Sequence, residues 1–367
     1  MDTPIPVLHT DASGLTPLEQ ATLVPAANPL AARKELSVEQ RKCLLAEAHQ
    51  WLKQGIAQYR QGQYTPALAI LQQSLQAYRS LAHHSGEGKV LLTLASLYYQ
   101  LADYLWSMDY ARQSLTIARR LGDKHLVQQA LSYLGNSYRH LHDLKKALDY
   151  MSQSLAMARE LGDLPAEMRS LNNLAMIHRM QGDTLQAAEL YAASLALAKQ
   201  LGDRATQEQV LRNLGNTYHA LGNFHKTIEY YDQLLQLVHV PQVNTSSAID
   251  LRIILRVLRN LISACQSIED HPRAIGYFHQ RLSLVRQLKD TRSEEQVLEG
   301  LANSYRSLGD TSRALDYLEQ RLQVLIQLGD TGLQRQVFES FRQSCLMTGE
   351  FKRLEPYVRL FSEPYRN

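Results

Sequence analysis

One phrase returns along this chain at a fixed interval, and that interval limits the possible folds more than any other feature. Leu134-Gly135-Asn136-Ser137-Tyr138, Ala147, Ser154-Leu155 and Leu161-Gly162-Asp163 reappear 40 residues later as Leu174-Ala175, Ala187, Ser194-Leu195 and Leu201-Gly202-Asp203, and again from Leu214-Gly215-Asn216-Thr217-Tyr218. A period of this length means one supersecondary unit stacked on copies of itself. A small-residue position runs Gly55, Ala95, Gly135, Ala175, Gly215, Ile262, Ala302, Arg342, and a second runs Ala67, Ser107, Ala147, Ala187, Thr227, Ala274, Ala314, Leu354. Eight units follow, in step except between the fifth and the sixth, where the first spacing is 47 rather than 40.

Each unit reads as two helices. Leu-Gly-Asp at 121–123, 161–163, 201–203 and 328–330 joins a glycine that accepts the left-handed conformation to an aspartate that caps the next helix. Ser37 and Gln40 have the spacing of a capping box at the first helix. No β-type alternation runs through the chain, so the expected class is all-α. Glycine inside a helix costs about 1 kcal/mol relative to alanine. Its recurrence at one phase predicts a close approach of paired helices, with Gly or Ala of one facing Ala of the other.

The rest of the chain punctuates this array. Pro4, Pro6, Pro17, Pro25 and Pro29 make residues 1–36 a flexible tail. Repeats one to five then occupy 37–238, an inserted loop around Pro241 spans 239–250, and repeats six to eight with a C-terminal cap fill 251–367. With 39 basic and 36 acidic residues the net charge is +3, which argues against a dedicated nucleic-acid binder. Three separated cysteines, Cys43, Cys265 and Cys345, form neither a disulfide framework nor a zinc pattern. No apolar run is long enough to cross a bilayer. The first basic residue is Arg33, so the N-terminus has no basic leader, and a cytoplasmic location is expected.

These residues resemble the tetratricopeptide repeat (TPR) family, in its long 40-residue-period form. The likeness rests on Gly135 with Tyr138 and Ala147; on Gly215 with Tyr218, Gly222 and Phe224; and on Ala302 with Tyr305, Gly309 and Ala314. Repeats six (Ile262, Cys265, His271) and eight (Arg342, Cys345) depart most from the pattern. The resemblance implies a right-handed superhelical solenoid of antiparallel helix pairs. Its inner wall would be built from the first helix of every pair, and such walls hold peptide segments of other proteins.

On that wall one phase reads Asn136, Met176, Asn216, Ser263, Asn303, and three residues on stand Arg139, Arg179, His219, Gln266, Arg306. Asn173, Arg212, Asn213 and Arg259 fall at neighbouring phases, with Tyr133, Arg169, Arg256 and Asn260 close by. Asparagine pairs with peptide backbone, and arginine grips carboxylates at two points. The expected partner-binding set is therefore Asn136, Arg139, Asn173, Arg179, Arg212, Asn213, Asn216, Arg259, Asn303 and Arg306. The expected function is a non-catalytic scaffold or assembly factor that binds an acidic or carboxylate-bearing segment of a partner protein. The alternative is a regulator whose superhelix changes shape on binding a peptide. RNA binding by a helical solenoid is a third reading, weaker than either. No cofactor, metal or catalytic residue is expected. His83-His84 and His140-x-His142 lack a recurring ligand set, and Cys265, Cys345 and His178 occupy the buried phase held elsewhere by tyrosine.

Overall fold

The computed structural model describes residues 37–238 and 248–362. Among them are sixteen α-helices and no strand. In chain order they are α1 (Val38–Arg60), α2 (Tyr64–Ser80), α3 (His84–Gln100), α4 (Tyr104–Leu121), α5 (Lys124–His140), α6 (Leu144–Glu160), α7 (Leu164–Gln181) and α8 (Thr184–Leu201). There follow α9 (Arg204–Ala220), α10 (Phe224–Val238), α11 (Ala248–Ser267), α12 (His271–Gln287), α13 (Thr291–Ser307), α14 (Thr311–Leu328), α15 (Thr331–Thr348) and α16 (Glu355–Ser362). The proline-bearing tail and residues 239–247 of the inserted loop lie outside the described residues, and α11 opens at Ala248, inside the expected insertion. The chain forms two compact units, one ending at Ile177 and the other beginning at His178.

Most turns are written the same way. Most of the aspartates before the helices cap them: Asp123 Oδ1 accepts from Leu126 N at 3.0 Å, Asp163 Oδ1 from Ala166 N at 2.9 Å, and Asp310 Oδ1 from Arg313 N at 3.0 Å, whereas Gln63 and Asp183 make no such bond. The expected capping box at Ser37 and Gln40 is formed in both directions. The residue before each capping position takes the left-handed conformation, as at Gly122 (φ 67°), Gly202 (φ 67°) and Gly329 (φ 73°). Ala102, His142, Glu269 and Lys289 adopt it too, with φ of 55–61°. The tripeptide was thus the visible form of a turn that also occurs without glycine.

Within the units, helices adjacent in the chain pack on one another, and in the first unit α3 also touches both α1 and α5. Both small-residue positions are buried outside the last repeat: Ala67, Ser107, Ala147, Ala187 and Thr227 are fully so. The recurring serine joins the pair. Ser74 Oγ donates to the Ala48 carbonyl at 2.9 Å, Ser114 to Gly88 at 2.9 Å and Ser154 to Gln128 at 3.3 Å, each from the second helix of a pair to the first. The helices approach closely at the glycines, where the nearest groups are side chains larger than the expected alanine. A Cβ at Gly55 would meet Leu71 at 2.7 Å, one at Gly135 would meet Met151 at 2.9 Å, and one at Gly215 would meet Tyr231 at 2.6 Å. The groups facing the glycines are therefore large side chains four residues past the small ones, and the absent Cβ leaves room for them.

The last repeat departs from the others as a terminal unit should. Its second helix is replaced by a 3-10 turn (Phe351–Leu354) and the short α16, and Phe361 stacks on Phe338 at 4.4 Å. Arg342, at the small-residue position, points to solvent and pairs with Glu339.

Candidate functional site

In the first unit the first helices of the pairs line a cleft of about 430 Å³, bounded by Ile56, Tyr59, Thr93, Ser96, Tyr133 and Arg169 among others. Its floor is a hydrogen-bonded trio: Tyr133 donates to Ser96 Oγ at 2.7 Å, and the Tyr59 hydroxyl lies 2.8 Å from the same oxygen. Burial raises the Tyr133 phenol above its usual range. Tyr59 was missed by sequence reasoning. It holds the phase that reads Arg139 and Arg179 further on, and following that column back to the first repeat would have found it.

The expected residues of this unit behave differently from one another. Arg139 is 9% exposed. Its guanidinium donates to His140 Nε2 at 2.8 Å and to the Tyr99 hydroxyl at 3.4 Å, so it ties repeats together, while its Nε is buried without a partner. Asn136 and Asn173 are half-buried, and the side-chain oxygen of Asn136 is buried without a partner. His140 stacks on Tyr104 at 4.2 Å. Burial, aided by Arg139 and His142, lowers its pKa to about 4 from the ordinary 6.5.

A prediction follows for acid stability. The folded imidazole binds its proton more weakly than the unfolded one, so its contribution is complete above pH 6.5 and is lost as pH falls toward 4. The ring keeps an edge in solvent, so the effect is discounted to about 1 kcal/mol, or about 2–4 °C in Tm. Between pH 7 and 4.5 the wild type should therefore lose more Tm than His140→Gln does. Parallel losses would remove His140 from the account.

In the second unit, α9 and α11 present the arginines. Arg212 and Asn213 are half-buried, while Arg256, Arg259 and, at the end of α7, Arg179 are exposed. Among the described residues none of these four arginines pairs with a carboxylate. Asn216 accepts from the Tyr231 hydroxyl at 2.7 Å, and Asn260 donates to that hydroxyl at 2.9 Å, so Tyr231 of α10 links α9 to α11. Asn303 and Arg306 line another cleft of about 510 Å³ with Glu295, Glu299 and Arg321, and Arg306 donates to Asn303 at 3.2 Å. That cleft mixes charges and is not a purely basic one.

Comparison of repeats six and seven shows what Arg281 of α12 lacks. In repeat seven Arg321 donates from Nε to Glu295 at 2.7 Å and pairs through a terminal nitrogen with Glu299 at 2.9 Å. One period earlier the same three positions are Arg281, Leu255 and Arg259. Arg281 keeps a buried Nε with no partner. Burial lowers the proton affinity of its guanidinium and the charge of Arg259 lowers it further, an effect that the Asp290 carboxylate opposes without pairing with it. Arg212 and Arg256 add positive charge around Tyr231.

The remaining sequence expectations concern sulfur and imidazole. Cys265 and Cys345 are buried, and burial pushes the Cys265 thiol up to about 12. His178 is half-buried, its Nδ1 3.5 Å from Asp183 Oδ2. Among the described residues no three His, Cys, Asp or Glu side chains gather as a metal site, and no helix is long and apolar enough to cross a membrane.

Among solved structures, aspartyl phosphate phosphatase F from Bacillus subtilis is 17% identical with a TM-score of 0.52, covering 77% of this chain and 71% of its own. The apo form of RapI is 12% identical with the same TM-score, covering 77% of this chain and 99% of its own. At such identities the likeness concerns the fold alone. No curated protein sequence matches the chain significantly. Family profiles described as tetratricopeptide repeat match residues 51–80, 126–200, 210–242 and 253–327, which together are more than half of the chain. With these matches and the recurring helix pairs, the chain belongs to the tetratricopeptide repeat family.

Proposed function

We propose that this protein is a non-catalytic interaction scaffold whose second unit takes a carboxylate-bearing segment of a partner polypeptide between Arg259 and Arg281. The observation that carries this reading is the missing acid. Repeat seven supplies Glu295 and Glu299 around Arg321, whereas repeat six has Leu255 and a second arginine around Arg281. Two guanidiniums close together, one with a buried unpaired Nε, favour an incoming carboxylate where Glu299 stands one repeat later. Arg212 and Arg256 extend the positive face, and Asn213 and Asn260 offer donors and acceptors to a peptide backbone.

Arg259→Glu tests this directly, because it builds the repeat-seven ion pair into repeat six. A fluorescein-labelled acidic hexapeptide with a free C-terminus should bind the intact chain. Its affinity for the variant should fall by about tenfold or more, the loss expected when a charge-assisted pair is replaced by repulsion. The melting temperature should stay level or rise. Equal binding by the variant would move the site elsewhere.

A further inference from the structure

Four repeats carry a stacked tyrosine pair: Tyr98–Tyr110, Tyr138–Tyr150, Tyr218–Tyr230 and Tyr305–Tyr317, with ring centroids 5.4, 5.4, 5.4 and 5.5 Å apart. In three of them the chain places its own cation over the first ring. Lys146 lies 5.2 Å from the Tyr138 centroid, Lys226 4.7 Å from Tyr218, and Arg313 5.6 Å from Tyr305. The capping acid three residues earlier holds the cation where it is an aspartate: Asp143 pairs with Lys146 at 2.9 Å and Asp310 with Arg313 at 3.5 Å. The motif is a π face and a carboxylate sharing one ammonium or guanidinium.

Repeat two keeps the acid and the tyrosines but not the cation. The position of Lys146 is Trp106, whose ring lies 6.1 Å from Tyr98 and 5.9 Å from Tyr110. Asp103 still caps its helix through Trp106 N at 3.2 Å, yet among the described residues no basic side chain pairs with it. The basic groups nearby are already engaged: Arg79 with Glu87 and Gln113, and Arg112 with the Tyr138 hydroxyl. Trp106 is 43% exposed and the adjacent Leu105 62% exposed, so the stack ends in an open indole face beside an apolar shelf.

We propose that Asp103, Leu105 and Trp106 form a second docking site, which takes a lysine or arginine side chain of a partner protein against the exposed part of the indole and so gives Asp103 the basic partner that Asp143 finds in Lys146 and Asp310 in Arg313. The aliphatic stem of such a side chain lies along Leu105, its charged head faces Asp103, and the indole supplies the π face. The site is in the first unit and uses none of the arginines assigned to the acidic segment, so either assignment can fail without the other.

The test measures anisotropy of a capped, fluorescein-labelled Arg-Gly-Arg-Gly-Arg peptide with the full chain at low salt. Trp106→Lys gives repeat two the internal cation of repeats three and five, so it should melt no lower than wild type while binding falls by about fivefold, the size of one exposed cation–π and ion-pair contact. Asp103→Asn keeps a helix-capping oxygen but removes the charge, and should weaken binding to a similar extent. Trp106→Phe, which keeps a ring face, should stay within about twofold. The proposal is overturned by no saturable binding to wild type, or by undiminished binding to Trp106→Lys. Self-association of the wild type that Trp106→Lys abolishes would also overturn it, since the occupant would then be a second copy.

Discussion

Arg321→Met is expected to destabilise the second unit by about 3–5 kcal/mol, the range for removing one member of a buried ion pair. Glu295 is only 8% exposed and Arg321 12% by its side chain, and the two meet at 2.7 Å. Without the guanidinium, the Glu295 carboxylate stays in a low-dielectric setting with no counter-charge, and Glu299 loses the same partner. For a unit of this size the corresponding fall in Tm is about 6–20 °C. The companion variant Arg321→Met/Glu295→Met should recover most of the loss, because the stranded charge rather than the missing bond is the main cost. Thermal unfolding followed by circular dichroism distinguishes the two. A double variant no more stable than the single one would mean that the methionine packs badly and that stranding is not the cause.

The same position explains how far the sequence could be read. The repeat, the paired helices and their caps were legible because they depend on local chemistry: aspartate oxygens reaching amides three residues on, and glycine accepting positive φ. Which residue faces which across a pair was only half legible. Serine at 74, 114 and 154 recurs visibly, but its acceptor is a backbone carbonyl 26 residues earlier. Once that separation is known, Arg321 with Glu295, and Arg281 with Leu255, read straight from the sequence. Arg139 misled for a related reason. Its helical phase matches Arg179 and Arg306, but only in repeat three do Tyr99 and His140 stand where they enclose the guanidinium. Phase along one helix fixes direction, while burial depends on side chains contributed by the neighbouring repeat.

Gly215→Ala is expected to lower stability by about 2–3 kcal/mol, although alanine is the better helix former. The helix propensity gained is about 1 kcal/mol. Against it stands a Cβ placed 2.6–2.8 Å from three ring atoms of Tyr231, where overpacking costs about 1–3 kcal/mol. Tyr231 is fully buried and cannot slide aside freely, because its hydroxyl holds Asn216 at 2.7 Å and Asn260 at 2.9 Å. Moving the ring would stretch both bonds, each contributing about 1 kcal/mol. Gly276→Ala is the control. There, inside α12, the added methyl meets nothing within 4 Å, so the variant should equal wild type or exceed it by up to about 1 kcal/mol. Because Tyr231 joins α9 to α11, Gly215→Ala should also disturb the alignment of Arg212 with Arg259 and weaken binding of the acidic peptide. Melting curves for the two variants decide the point: equal stability would mean that the second unit yields at α10, and that the Asn216–Tyr231–Asn260 bridge does not hold the arginine-bearing helices in register.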